Sequence, residues 1–125
     1  MDRLFADTYA IIEILKGNEN YRRYRDIKLI TTDFNILELS YALIRYYSKS
    51  KALEIISDVR DNIEVTDVND SDFVESSEFR IKSNREGKKL SLIDCLGYIV
   101  AKRLKIKFLT GDKEFRDLEG VEFVK

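Results

Sequence analysis

Short apolar runs alternate along this chain with longer segments in which apolar residues recur at helical spacing. Residues that start or stop helices mark most of the changes of period. The run Arg3 to Ala6 predicts a strand. Thr8 then stands as an N-cap for a helical segment, Tyr9 to Leu15, which Gly17 and Asn18 end. Lys28 to Thr31 predicts a second strand, and Asp33 caps a long helix in which Leu37, Tyr41, Ile44 and Tyr47 recur on one face. That stripe is expected to face a core. A helix at Lys51 to Val59 leads to a strand at Ile63 to Val65. Asp70 or Ser71 starts another helix that reaches about to Asn84 and is broken at Gly87. Ser91 to Leu104 is the clearest helix. It feeds a strand, Lys107 to Thr110, a short helical turn at Lys113 to Leu118, and a final strand, Val121 to Val124.

Strands that alternate with helices predict a mainly parallel sheet covered on both faces, an α/β protein built as a three-layer α/β/α sandwich. No proline, low-complexity tract or repeat marks a boundary, so the 125 residues are expected to form one domain, 1–125. In such sheets, sites lie beyond the carboxyl ends of the strands. This rule selects two of the 23 acidic residues. Asp7 directly follows the first strand, and Asp112 follows the strand ending Phe108-Leu109-Thr110.

Composition narrows the chemistry. There is no histidine, which excludes Ser-His-Asp hydrolases, Cys-His proteases and histidine-pair ribonucleases. The single cysteine, Cys95, can build neither an internal disulfide nor a zinc site of the usual kinds, so any metal must take oxygen ligands. The glycines are dispersed and form no phosphate-binding loop. No apolar run approaches the roughly 20 residues that cross a bilayer, and Met1 to Phe5 does not open a signal segment. A cytoplasmic protein without membrane association is expected.

Two further carboxylates look out of place. Glu38 shares its helix face with Phe34, Asn35, Tyr41 and Ala42. Asp94 is the one charged residue between Leu90 and Val100. A buried ionised carboxylate is costly unless it is paired or binds a metal. Each acid also has a structural reading by itself: Ser91-x-x-Asp94 resembles a capping box, Glu38 favours the first turn of its helix, Asp7 precedes a helix, and Asp112 lies in a turn. Those readings leave the joint pattern unexplained, two acids at strand ends and two on apolar helix faces.

At these residues the sequence resembles the PIN-domain family, particularly its short stand-alone members, the VapC-type toxins of toxin–antitoxin pairs. Leu4-Phe5-Ala6-Asp7-Thr8 looks like the family's first strand and first acid. Asn35-Ile36-Leu37-Glu38-Leu39 is similar to its glutamate segment, and Ser91 to Ala101 to its third-acid helix. Leu109-Thr110-Gly111-Asp112-Lys113-Glu114-Phe115 resembles the T-x-D-x-x-F signature, the most specific of the four matches. Tyr9 is bulkier than the residue many members carry there. The resemblance implies a metal-dependent endoribonuclease with Asp7, Glu38, Asp94 and Asp112 as catalytic acids and Mg²⁺ or Mn²⁺ as cofactor. Asp7 and Asp94 would hold the principal ion, Asp112 would complete that site or bind a second ion, and Glu38 would act through water. Thr8 and Thr110 would position water or phosphate. An RNA substrate, a cognate antitoxin and a homodimer are implied likewise.

The net charge is −1, but it is unevenly spread. Between Glu54 and Glu78 stand nine acids and one base, after which Arg80, Lys82, Arg85, Lys88 and Lys89 lead into the Asp94 helix. Arg85, Lys88 and Lys89 are therefore candidates for tracking RNA phosphates, against the plainer reading of a solvated surface. The competing functions are an RNA-processing nuclease of the same chemistry, as in ribosomal RNA maturation, without an antitoxin, and a non-catalytic RNA-binding module. A phosphoacceptor receiver domain would need a pair of acids after its first strand, where Asp7 stands alone.

Overall fold

A computed structural model describes residues 2–125 of the chain. Among the described residues five strands form one sheet: β1 (Arg3–Ala6), β2 (Lys28–Thr31), β3 (Glu64–Val65), β4 (Lys107–Thr110) and β5 (Val121–Phe123). Their order is β3-β2-β1-β4-β5 and every pairing is parallel, with Phe5 opposite both Ile30 and Phe108. Five helices cover it: α1 (Thr8–Leu15), α2 (Asp33–Ile44), α3 (Lys49–Asn62), α4 (Asp70–Arg85) and α5 (Leu92–Leu104). Among the described residues no helix is long and apolar enough to cross a membrane.

Side-chain alternation along the strands divides the core in two. Leu4, Ala6, Leu29 and Leu109 pack with residues of α1, α2 and α3, whereas Phe5, Ile30 and Phe108 pack with α5. The sheet is thus the middle of the three layers the sequence predicts. Its central strands read as continuous apolar runs because both faces are covered. Close approach of α5 to the sheet depends on Gly97: a Cβ there would lie 2.8 Å from Phe5 Cε1 and 3.0 Å from Phe108 Cε1. Overpacking of roughly 1–3 kcal/mol outweighs the gain in helix propensity of about 1 kcal/mol, so Gly97→Ala is expected to destabilise the fold by about 1 kcal/mol. Its denaturant midpoint should fall, and an unchanged midpoint would mean that the rings give way freely.

The predicted elements recur with three local differences. The N-cap of α1 is Asp7, not Thr8, and the N-cap of α2 is Thr32, not Asp33; in each case the earlier residue is the one with extended backbone and a side-chain oxygen turned to the helix. A 3-10 segment, Glu19–Asp26, was not foreseen. Its polar sequence hides an inward pair, Tyr21 and Tyr24, both of which are core residues.

The largest correction concerns α2. The stripe Leu37, Tyr41, Ile44 and Tyr47 does not face the core: these side chains are 64%, 69%, 50% and 49% exposed, while Asn35, Ile36, Leu39 and Leu43 are buried. The helix carries apolar residues on two faces, and spacing reports a face without saying which side has a partner. α1 and α3 occupy the second. An exposed apolar stripe of this kind marks an interaction surface more often than chance exposure.

Candidate active site

The sheet's chain order reverses between β1 and β4, which are adjacent although a hundred residues apart in sequence, roughly speaking. At such a switch point the following loops separate and leave a crevice. Asp7 stands at the end of β1, where its backbone N–H donates to the Leu109 carbonyl at 3.2 Å, and Asp112 follows β4. The crevice opens as a groove of about 1200 Å³ lined by Asp7, Thr8, Glu38, Asp94 and Asp112, with Leu37, Tyr41, Ile44 and Leu53 along one wall. All four acids selected from the sequence therefore share one concavity, though they come from four separate segments.

Each acid is held differently. Asp7 is buried, and its Oδ1 accepts the Ala10 N–H at 2.8 Å as the helix cap. Burial raises its pKa to about 8, helped by the charges of Asp94 and Asp112. Hydrogen bonding by Thr110 and the Ala10 N–H opposes the shift. Asp94 is half-buried and raised to about 6, first by desolvation and then by Glu38 and Asp112, with Ser91 opposing. Its backbone N–H donates to Ser91 Oγ at 3.1 Å, but among the described residues no Ser91 N–H returns to its carboxylate, so only half of the capping box forms. Asp112 caps the short 3-10 turn Lys113–Phe115 through the Glu114 N–H at 3.0 Å, and its own N–H donates to Thr110 Oγ1 at 3.0 Å.

Glu38 ends a relay that sequence reasoning missed. Thr32 Oγ1 donates to Asn35 Oδ1 at 2.7 Å, Asn35 Nδ2 donates to Thr8 Oγ1 at 3.1 Å, and Thr8 Oγ1 donates to Glu38 Oε1 at 2.6 Å. Because Thr8 accepts from Asn35, its own proton is directed at Glu38. Asn35 is fully buried, and the only prior signal was a polar residue inside the apolar face of α2.

Among the described residues no three acidic side chains come close enough to enclose an ion unaided. The donor set nevertheless suits a hard divalent cation. It consists of carboxylate oxygens alone, and magnesium keeps several waters and needs only one or two carboxylates from the protein. The expected RNA contacts lie elsewhere: Lys88 and Lys89 line a separate surface hollow with Arg80 and Gly87. Lys88 Nζ donates to the Glu114 carbonyl at 3.4 Å, and Arg85 is exposed at the end of α4.

The sequence matches the family model for the PIN domain over residues 4–121. The chain belongs to the PIN-domain family. No curated protein matches this PIN domain by sequence. Solved structures with the same fold include VapBC2 from Rickettsia felis bound to a promoter DNA fragment, at 14% identity and a TM-score of 0.78 over 98% of this chain and 99% of that one. Another is VapC20 from Mycobacterium tuberculosis, described as a sarcin–ricin-loop-cleaving toxin, at 17% identity and 0.78 over 98% and 99%. DNA-bound VapBC from Salmonella typhimurium aligns at 18% identity and 0.77 over 98% and 97%. At these identities the likeness is one of fold.

Proposed function

We propose that this PIN domain is a Mg²⁺- or Mn²⁺-dependent endoribonuclease, working in the cytoplasm as the toxin of a type II toxin–antitoxin pair. The observation that carries the reading is the gathering of Asp7, Glu38, Asp94 and Asp112 in one groove at the switch point of the sheet, with the pKa values of Asp7 and Asp94 raised. Carboxylates that resist ionisation together are groups that a cation would stabilise. Asp7, Asp94 and Asp112 would hold that ion, which when bound neutralises charge developing on the phosphate and acidifies water.

The protein's own groups then have distinct tasks. Glu38 is oriented through Oε1 by Thr8, and among the described residues its Oε2 has no hydrogen-bond donor, leaving it to accept a proton from attacking water. Thr110 Oγ1 accepts the Asp112 N–H and so holds the turn that carries the second strand-end acid. Arg85, Lys88 and Lys89 would track phosphates beyond the groove. The exposed stripe of α2, continuous with the acid-lined groove, suits a partner segment that brings apolar side chains to Leu37 and Tyr41 and a cation to the acids. The toxin–antitoxin complexes of the same fold support that choice over an RNA-processing nuclease without an antitoxin, or a non-catalytic RNA-binding module.

The test is cleavage of a labelled RNA pool by purified protein with Mg²⁺, Mn²⁺ or chelator, beside folded Asp94→Asn and Glu38→Gln variants. Cleavage should require metal and fall by about 10²-fold or more in each variant. Cleavage that persists in chelator would sink the metal-dependent reading. Co-expression with the product of the adjacent reading frame, followed by mass measurement, distinguishes a toxin–antitoxin complex from a homodimer alone.

A further inference from the structure

Three lysines, Lys49, Lys113 and Lys125, line the same groove as the four acids. Lys125 is set apart by how it is held. Its Nζ lies 5.3 Å from the centroid of the Tyr9 ring and 3.4 Å from the Gly111 carbonyl oxygen. Tyr9 is itself pressed against Gly111, where a Cβ would fall 2.1 Å from ring atom Cε1 and 2.6 Å from Cζ. Any larger residue there would displace the ring, so the residue before Asp112 and the second residue after Asp7 together make a seat for the ammonium. A cation over an aromatic face is attracted by the ring quadrupole.

The seat does not consume the charge. Among the described residues Lys125 forms no ion pair with an Asp or Glu side chain, and one long bond to a carbonyl leaves most of its donor capacity free. An acid-lined groove repels a polyanion, and a fixed cation on its wall offsets that repulsion where the strand passes. Among the described residues, Lys125 is the one groove lysine whose ammonium has a hydrogen-bonded anchor, and that anchor is a neutral carbonyl.

We propose that Lys125 binds a backbone phosphate flanking the scissile one in single-stranded RNA, with Tyr9 as the positioning residue that seats its ammonium against Gly111. The assignment rests on the ribonuclease reading above and extends it to a substrate contact.

The experiment measures binding of a short fluorescein-labelled single-stranded RNA to the Asp94→Asn protein in Mg²⁺ across a salt series, with Lys125 and Tyr9 varied in that background. Lys125→Ala should weaken binding roughly two- to fivefold, the scale of one exposed charge contact, and reduce the slope of log affinity against log salt by about 0.7. Lys125→Arg should restore both. Tyr9→Leu should reproduce the Lys125→Ala result, whereas Tyr9→Phe, which keeps the ring, should not. In the active protein Lys125→Ala should raise KM and leave kcat unchanged. Lys125→Ala that binds as tightly as its parent, with the same salt slope, overturns the assignment and leaves the ribonuclease reading standing. An Asp94→Asn parent that binds no RNA at any salt concentration overturns the assignment, and the ribonuclease reading falls with it only if the unsubstituted protein in Mg²⁺ also cleaves none of that RNA.

Discussion

Replacing Asp7 by asparagine is expected to lower RNA cleavage by about 10³-fold or more and, in the same protein, to raise the melting temperature of the metal-free form near pH 8. The two effects share one cause. Burial, with the charges of Asp94 and Asp112 behind it, pushes the Asp7 carboxyl up to about 8, so ionising it in the folded protein without a cation is unfavourable. Asparagine has the same shape, carries no charge, and keeps an oxygen to accept the Ala10 N–H that caps α1. Stability rises while the anionic donor is lost. Asp7→Ala loses the cap as well and should be less stable than Asp7→Asn by roughly 1 kcal/mol. Thermal melts of the three proteins in chelator check this. An asparagine variant that melts below the parent at alkaline pH would show that the ionised carboxylate is held by favourable contacts rather than strained.

The second large effect is a reversal of pH dependence by metal. Asp7 and Asp94 both have folded values raised above 3.8, to about 8 and about 6. A group raised in this way contributes stability that is complete below its unfolded value and is lost as pH rises through its folded value. In chelator, the contribution of Asp94 should therefore decline up to about pH 6 and that of Asp7 up to about pH 8. A fall in melting temperature of roughly 5 °C or more is expected between about pH 5.5 and pH 8.5. A divalent cation held by these acids would favour their ionised forms, so its stabilisation should grow with pH, reaching about 2.7 kcal/mol at a hundredfold excess over Kd. Melting curves at several pH values, with Mg²⁺ and with chelator, give the two slopes. Parallel slopes would remove the case for a cation at these acids.

Some of this was written in local pattern. The strand runs at Arg3–Ala6, Lys28–Thr31 and Lys107–Thr110 match because a strand buried on both faces must be apolar throughout, whatever its neighbours. The helices match to within a few residues, since a cap such as Ser91 is local chemistry; the helix predicted at Lys51 to Val59 starts two residues earlier, behind Ser48, a cap that was not foreseen. Asp7 and Asp112 could be selected because residues at strand ends are identifiable without knowing which strands adjoin. Glu38 and Asp94 could be selected because a charge among apolar neighbours is conspicuous in one dimension.

By itself, then, the sequence determined an alternating α/β chain with no histidine and a single cysteine, so that oxygen ligands are what it offers a metal, and it singled out four suspect carboxylates. These properties follow from residue type and short-range spacing. Tertiary structure alone decided which face of α2 is covered, leaving Leu37 and Tyr41 exposed beside the acids, because burial depends on where α1 and α3 pack. It also decided the strand order that sets β1 beside β4, the relay from Thr32 through Asn35 and Thr8 to Glu38, and the seat of Lys125 on Tyr9. Each of these joins residues far apart in the chain, and contacts of that range arise only when the sheet and its two helical layers close around one another.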